Sequence, residues 1–238
     1  MSRVMTQEER FRRMVETPVS KLIPSLAVPT IISMLITSIY NMADTYFVSQ
    51  INTSASAAVG VSYSLMSMIQ AFGFTLGMGG GNYLSRVLGT QDTKKAEQIA
   101  STAFYTSMAV GAVLAVLGLL FLDPLVRILG ATDTIAPYAK DYAKYILMAA
   151  PIMTGSLSMN NLLRFQGLAV YAMVGITLGG VLNMVLDPIL IFGFDMGIAG
   201  AAIATALSQL ISFLVLFLQS NLRSDCVHLN PKKIVFRG

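Results

Sequence analysis

Six stretches of this chain are apolar over twenty residues or more, and only two acidic or basic side chains fall inside them away from their ends. They lie near Leu22 to Val48, Ala57 to Leu84, Ile99 to Leu122, Tyr138 to Leu162, Val170 to Phe192 and Gly197 to Gln219. A helix rises 1.5 Å per residue, so about 20 apolar residues cross a hydrocarbon layer. The runs are continuous and do not alternate at period two, which excludes a transmembrane barrel. The expected fold is all-α: an integral membrane bundle of six transmembrane helices. Composition agrees, since charged residues make up 12% of the chain against about 25% in soluble domains. That supply is too small for a water-facing surface, so a soluble enzyme is excluded. The net charge of +4 does not indicate nucleic acid, because the basic residues sit between the apolar runs.

The organisation follows as a tail over 1–21, a six-helix unit over 22–220 and a basic tail or linker over 221–238. The first tail, with Arg3, Arg10, Arg12 and Arg13 among Glu8, Glu9 and Glu16, has no apolar core of its own and is not a cleavable signal. Thirteen of the sixteen Lys and Arg residues fall on one side of the alternating spans, leaving Arg127, Lys140 and Lys144 on the other. The positive-inside rule then puts both termini in the cytoplasm of a multi-pass protein of the cell membrane. Lys140, Asp141 and Lys144 crowd the start of the fourth span, where an interfacial start that snorkels its lysines is the ordinary reading. A single cysteine, Cys226, excludes an internal disulfide framework, and His228 reads as solvated in a polar tail.

Small residues recur at four-residue spacing: Gly73, Gly77 and Gly81; Gly175 and Gly179; Gly197 with Ala201 and Gly200 with Ala204. They predict close helix packing, which holds spans together where lipid removes the hydrophobic driving force. Pro24, Pro29, Pro151 and Pro188 lie inside spans and predict kinks or broken turns. The fifteen methionines, among them Met34, Met66, Met153 and Met184, read mostly as packing residues.

The two costly residues are Asp44 and Asp187. A carboxylate at membrane depth costs about 2.5–3.5 kcal/mol on insertion scales, so each needs a partner, a proton, an ion or water. Both lie about five residues before the same side's end of their spans, hence at one depth. Asn183 is one turn below Asp187, Tyr40 and Asn41 one turn below Asp44, and Thr205 reaches a similar level on the sixth span. These oxygens suit a proton or a hard cation such as sodium. If the carboxylates face each other they titrate as one coupled pair. The bland alternative makes each aspartate an interhelical anchor.

These residues carry a resemblance. The segment Asn41-Met42-Ala43-Asp44-Thr45-Tyr46-Phe47-Val48 with Pro29, then Gly77 to Gly81 leading into Ser85-Arg86-Val87-Leu88-Gly89, resembles multidrug and toxic compound extrusion (MATE) transporters. So do Arg164-Phe165-Gln166-Gly167, Leu182-Asn183-Met184-Val185-Leu186-Asp187-Pro188-Ile189 and the run from Gly197 to Thr205. The resemblance covers nearly the whole chain. It implies an exporter of amphipathic, mostly cationic compounds driven by inward proton or sodium flow, not an enzyme, with no cofactor beyond that coupling ion. By the same resemblance Asp44, Asn183, Asp187 and Thr205 match the cation site, with sodium held at the first three if sodium is used. Pro29 matches the hinge of the first helix, and Tyr40 and Asn41 border the pocket. Arg164 and Gln166 match a signature whose position suggests packing or loop anchoring outside the site.

The family has twelve spans in two lobes, and this chain has six. The resemblance therefore implies an N-terminal lobe whose second lobe lies on the same longer chain or on a partner half. Besides that lobe, the expected partners are membrane lipid and small-molecule cations. A lipid-linked oligosaccharide flippase of the same superfamily is the nearest alternative, opposed by the lack of basic residues in the span interiors. A non-transporting membrane scaffold is the other.

Overall fold

The computed structural model describes residues 12, 16–222 and 227–234. The expectations for Arg3, Glu8, Glu9, Arg10, Arg13, Arg223, Cys226 and the stretch 235–238 fall outside the described residues. Within them the chain forms seven α-helices: α1 Val19–Ser49, α2 Thr53–Gly89, α3 Thr93–Leu120, α4 Leu122–Ile128, α5 Ala136–Phe165, α6 Ala169–Pro188 and α7 Gly197–Leu222. All but the short α4 are long and apolar enough to span a membrane, α6 together with the turn that continues it. α1 begins and α7 ends on one face of the bundle, called here the tail face; the opposite one is the far face.

Local chemistry sets the boundaries. Asn52 caps α2 by accepting from the Ala55 N–H at 2.7 Å, and Asp92 caps α3 by accepting from the Lys95 N–H at 3.0 Å. α5 ends in a left-handed glycine, Gly167 at φ +77°, with the Leu168 N–H returning to the Leu163 carbonyl at 2.9 Å. Pro188, the residue after Asp187, ends α6, and a π-helical turn, Ile189–Gly193, follows it. The other prolines lie inside continuous helices. α1 runs unbroken through Pro24 and Pro29, and α5 through Pro151.

At Pro151 the helix is held by tight packing against α3. The Thr154 hydroxyl donates to the Ser107 carbonyl at 2.9 Å, and the Ser107 hydroxyl donates to the Thr154 carbonyl at 2.9 Å. Gly111 permits this approach, since a Cβ there would lie 2.7 Å from Pro151 Cα and 2.9 Å from the Ala150 oxygen. The glycine stripes of α2 and α6 pack as small residues in membranes do, and Gly200 of α7 meets the Leu190 backbone, but Gly197, at φ +55°, has nothing within 4 Å of a Cβ. Gly73 and Gly77 meet the α5 backbone at Thr154 and Ser158, Gly81 meets the Phe165 ring, and Gly175 and Gly179 meet Leu216 and Ser212 of α7.

The fourth span, whose polar start made it the weakest by sequence, is the centre of the bundle. In its most apolar window 78% of α5 is buried, against 11% for α1. α5 packs against α2, α3, α6 and α7, and its polar residues Ser156, Ser158, Asn160 and Asn161 face other helices and not lipid. Its charged start is not simply snorkelled. Lys140 pairs with Asp123 of α4, and Lys144 pairs with Asp141 at 2.8 Å while lying over the Tyr145 ring. α4 itself, set off from α3 by a bend at Phe121, was not foreseen.

The segment after α7 lies along the tail face. The Val227 N–H donates to Gln166 Oε1 at 2.9 Å, the Leu229 N–H to Asn221 Oδ1 at 3.0 Å and the Asn230 N–H to Ser101 Oγ at 3.0 Å, while Lys233 pairs with Glu97. Val227 and Leu229 are buried, and His228 between them is half-buried, unlike the solvated side chain expected.

Candidate functional site

α1 contacts the bundle mainly through α6, because Gly180 lets it approach: a Cβ there would lie 2.9 Å from the Tyr40 ring and 3.1 Å from Ile36. This contact brings Asp44 and Asp187 to the same level near the far face. Asp187 is fully buried, and Asp44, Asn183 and Thr205 nearly so. The Asn183 amide joins two of them, donating to Asp187 Oδ1 at 3.2 Å and to Thr205 Oγ1 at 3.3 Å. The Tyr142 hydroxyl, at the centre, donates to Asp44 Oδ2 at 3.4 Å and lies within hydrogen-bond reach of Thr205. Asp44 and Asp187 are within electrostatic reach of each other.

Neither aspartate has an ion-pair partner among the described residues. Asp44 Oδ1, Asp187 Oδ2 and Asn183 Oδ1 are buried without a hydrogen-bond partner among the described residues. Leaving a buried polar atom unpaired costs about 1–3 kcal/mol, and more where it is charged. Three such oxygens in one cluster fit a cation stripped of water, or a proton on a carboxylate, far better than they fit an anchor whose purpose is to be satisfied. No group of three His, Cys, Asp or Glu placed to hold a metal ion occurs among the described residues; the polar atoms gathered here are those of two carboxylates, an amide and two hydroxyls.

Below this cluster, towards the tail face, lies a cavity of about 260 Å³ lined by α1, α2, α5, α6 and α7. Asn183 and Thr205 form its upper wall, and Tyr40, Met34 and Met153 lie along it. Arg164 lines its lower end. Arg164 stays apart from the acidic cluster, as expected, but it touches this cavity from the last turn of α5. Gln166, by contrast, anchors the tail segment. Asn41 is half-buried and does not line the cavity, and Pro29 lies on α1 fifteen residues before Asp44. Tyr142 escaped the sequence reading altogether, although it lies six residues into α5 from the far face, the depth of the aspartates.

The chain is thus a helical multi-pass membrane protein that holds a buried acidic cluster above an interior cavity. Comparison with known proteins gives its family. The MatE family model matches residues 29–189, and the chain belongs to that family, the MATE transporters. Multidrug export protein MepA of Staphylococcus haemolyticus (strain JCSC1435) is 30% identical over 237 residues, which cover 97% of this chain and 52% of that protein. Crystal structures of MATE in the straight and the bent conformation each superpose with a TM-score of 0.87 at 29% identity, over 98% of this chain and 51% of theirs. The chain thus spans about half the length of the relatives it matches.

Proposed function

We propose that this chain is one lobe of a cation-coupled antiporter that exports amphipathic, mostly cationic compounds by alternating access, with protons or sodium as the coupling ion. The carrying observation is the trio of unpaired buried oxygens on Asp44, Asn183 and Asp187. Two carboxylates in a dry site are costly to keep ionised without a cation between them, so loading and unloading that cation changes which packing of the lobe is stable. Asp44 sits on α1, the least embedded span, and Pro29 removes one backbone donor from that same helix. Cation binding at Asp44 is therefore felt by the least embedded helix, and its bending at Pro29 shrinks the pocket and expels the drug.

Magnitudes bear on stoichiometry. A proton entering down 100 mV and one pH unit releases about 2.3 plus 1.4 kcal/mol. Exchanged for a drug of charge +1, the electrical part cancels, and only about tenfold accumulation remains. A second bound cation restores the voltage contribution, which gives a pair of carboxylates a thermodynamic use. A second six-helix lobe completes the central cavity, the protein resides in the cell membrane, and both termini face the cytoplasm.

The test is Asp44→Asn and Asp187→Asn in the complete transporter. An amide takes up no proton and carries no charge for a cation. Gradient-driven drug efflux should drop at least about tenfold while insertion and thermal stability persist. Intact efflux would make the aspartates anchors and the scaffold reading correct. The flippase alternative gains one observation, the guanidinium of Arg164 at the cavity's lower end, but that is a single basic group at the end farthest from the acidic cluster.

A further inference from the structure

Basic side chains on the two faces of the bundle keep different company. On the far face Arg127 pairs with Asp133 at 2.9 Å, Lys144 with Asp141 at 2.8 Å, and Lys140 with Asp123. At the turn between α2 and α3, on the tail face, Arg86, Lys94 and Lys95 are exposed, and none of them enters an ion pair among the described residues. The carboxylates nearest them in the chain are engaged elsewhere. Asp92 caps α3 by accepting from the Lys95 N–H at 3.0 Å, and Glu97 pairs with Lys233. Exposed lysines are well solvated when scattered, but like charges gathered at one short connection repel one another. An anion set among them removes that repulsion.

The depth of the turn says where the anion comes from. Met68, Phe72, Tyr83 and Arg86 lie at helical spacing along one exposed stripe of α2. The stripe passes from large apolar side chains through an aromatic ring to a guanidinium, the order met on leaving a hydrocarbon layer for its headgroups. Arg86 is three residues beyond Tyr83, about 4.5 Å along the helix axis. Lys95 of α3 reaches back to the same spot, its Nζ 5.6 Å from the centre of the Tyr83 ring. The connection itself is fixed, because the Thr90 and Gln91 N–H groups donate to the Val87 and Leu88 carbonyls at 3.0 and 3.1 Å. The last turn of α2 and the first of α3 thus hold their cations on one frame, beside a ring that faces lipid.

We infer that the α2–α3 turn binds an anionic phospholipid, with its phosphate among Arg86, Lys94 and Lys95 at the level of Tyr83 and its acyl chains along the exposed stripe of α2. The tail face is the cytoplasmic one by the positive-inside count, and anionic lipid of that leaflet attracts basic groups at its surface. Arg86 can take two phosphate oxygens in parallel, while the lysines act as point charges. A zwitterionic headgroup brings its own cation and no net charge, so the site selects charge on the lipid and not lipid in general. Asp44 and Asp187 play no part in it, and it stands apart from the cation-coupled reading.

The chain contains no tryptophan, so Tyr83→Trp, which keeps an aromatic face beneath Lys95, supplies a fluorescent reporter at the site. The complete transporter, with any tryptophan outside this chain replaced by Phe, is reconstituted in phosphatidylcholine bilayers. Quenching by brominated phosphatidylglycerol is then compared with quenching by brominated phosphatidylcholine. The anionic lipid should be preferred at least about tenfold, the factor that roughly 1.4 kcal/mol represents. A second reporter, Leu120→Trp, on the exposed far-face end of α3, should show no such preference. Combining Arg86→Gln, Lys94→Gln and Lys95→Gln should abolish the preference at Tyr83→Trp, with thermal stability and quenching by phosphatidylcholine unchanged. Equal affinities for the two lipids at Tyr83→Trp, or the same preference at Leu120→Trp, overturn the site. A preference that survives the triple substitution overturns its assignment to these three cations. Excess inorganic phosphate should leave the preference standing; its loss would make this a site for free anions and overturn the lipid.

Discussion

At Tyr142 a single hydroxyl reaches Asp44 on α1 and Thr205 on α7 from the most buried helix of the bundle. It is the one protein donor to a carboxylate of Asp44 among the described hydrogen bonds, so it biases how that group holds a cation. Tyr142→Phe keeps the ring's packing and removes the long hydrogen bond to Asp44 and the contact with Thr205, each worth about 1 kcal/mol or less. Expression and insertion should persist, while the proton or sodium concentration giving half-maximal efflux shifts by several-fold; an unchanged concentration dependence would leave Tyr142 a packing residue. Asp44 and Asp187 were readable in the sequence because a carboxylate in an apolar run is costly and therefore conspicuous. Tyr142 was not, because a tyrosine near the end of a span is ordinary. Arg164 was hidden for a related reason: at a helix end a guanidinium usually reaches for the interface, and only the packing of five helices turned this one inward.

At the scale of elements, glycine spacing foretold which helix faces meet, but not how unequal the glycines are. Gly111→Ala should destabilise the α3–α5 contact by about 1–3 kcal/mol, since the added methyl meets backbone at Pro151 and Ala150 that has no room to yield. Gly79→Ala should be neutral or slightly stabilising, because nothing lies within 4 Å of a Cβ there and alanine favours helix. Thermal unfolding of the two variants in detergent checks the contrast, and equal losses would refute the packing account. On the far face, Lys140 hydrogen-bonds the Asp123 carboxyl and holds it below the usual carboxylate range. A depressed folded value means the pair's contribution is present above the ordinary carboxylate value and lost as pH falls through the lower, folded one. The α4–α5 junction should therefore exchange amide protons with unchanged protection from pH 8 to 5 once intrinsic rates are corrected. A carboxyl NMR titration should find Asp123 ionised throughout that range.

For the whole molecule, α1 contributes little burial and shows a run of exposed apolar side chains including Ile31, Leu35, Ile39 and Met42. In a bilayer that face needs lipid or another apolar surface against it. The tail segment adds a second constraint on assembly, because it is strapped to α3, α5 and α7 by three backbone hydrogen bonds. Gln166→Leu should speed amide exchange at Val227 at least about tenfold while leaving Asn230 protected by Ser101, the factor expected for losing about 1.4 kcal/mol. Exchange unchanged at Val227 would show that the strap is held by its buried side chains alone.

Sequence by itself determined the number of spans, their helical nature and the depth of the two carboxylates, because the length of a hydrocarbon crossing and the cost of charge within it act on each segment separately. It also marked Asn183 and Thr205, which helical spacing and span direction bring to the aspartates' level. Tertiary structure decided that α5 is the core of the bundle despite its polar face, that Pro24, Pro29 and Pro151 lie within continuous helices, and that Arg164 lines the lower end of an interior cavity. Each of these depends on a neighbouring helix supplying a surface, and no single segment carries the information of which neighbour that will be.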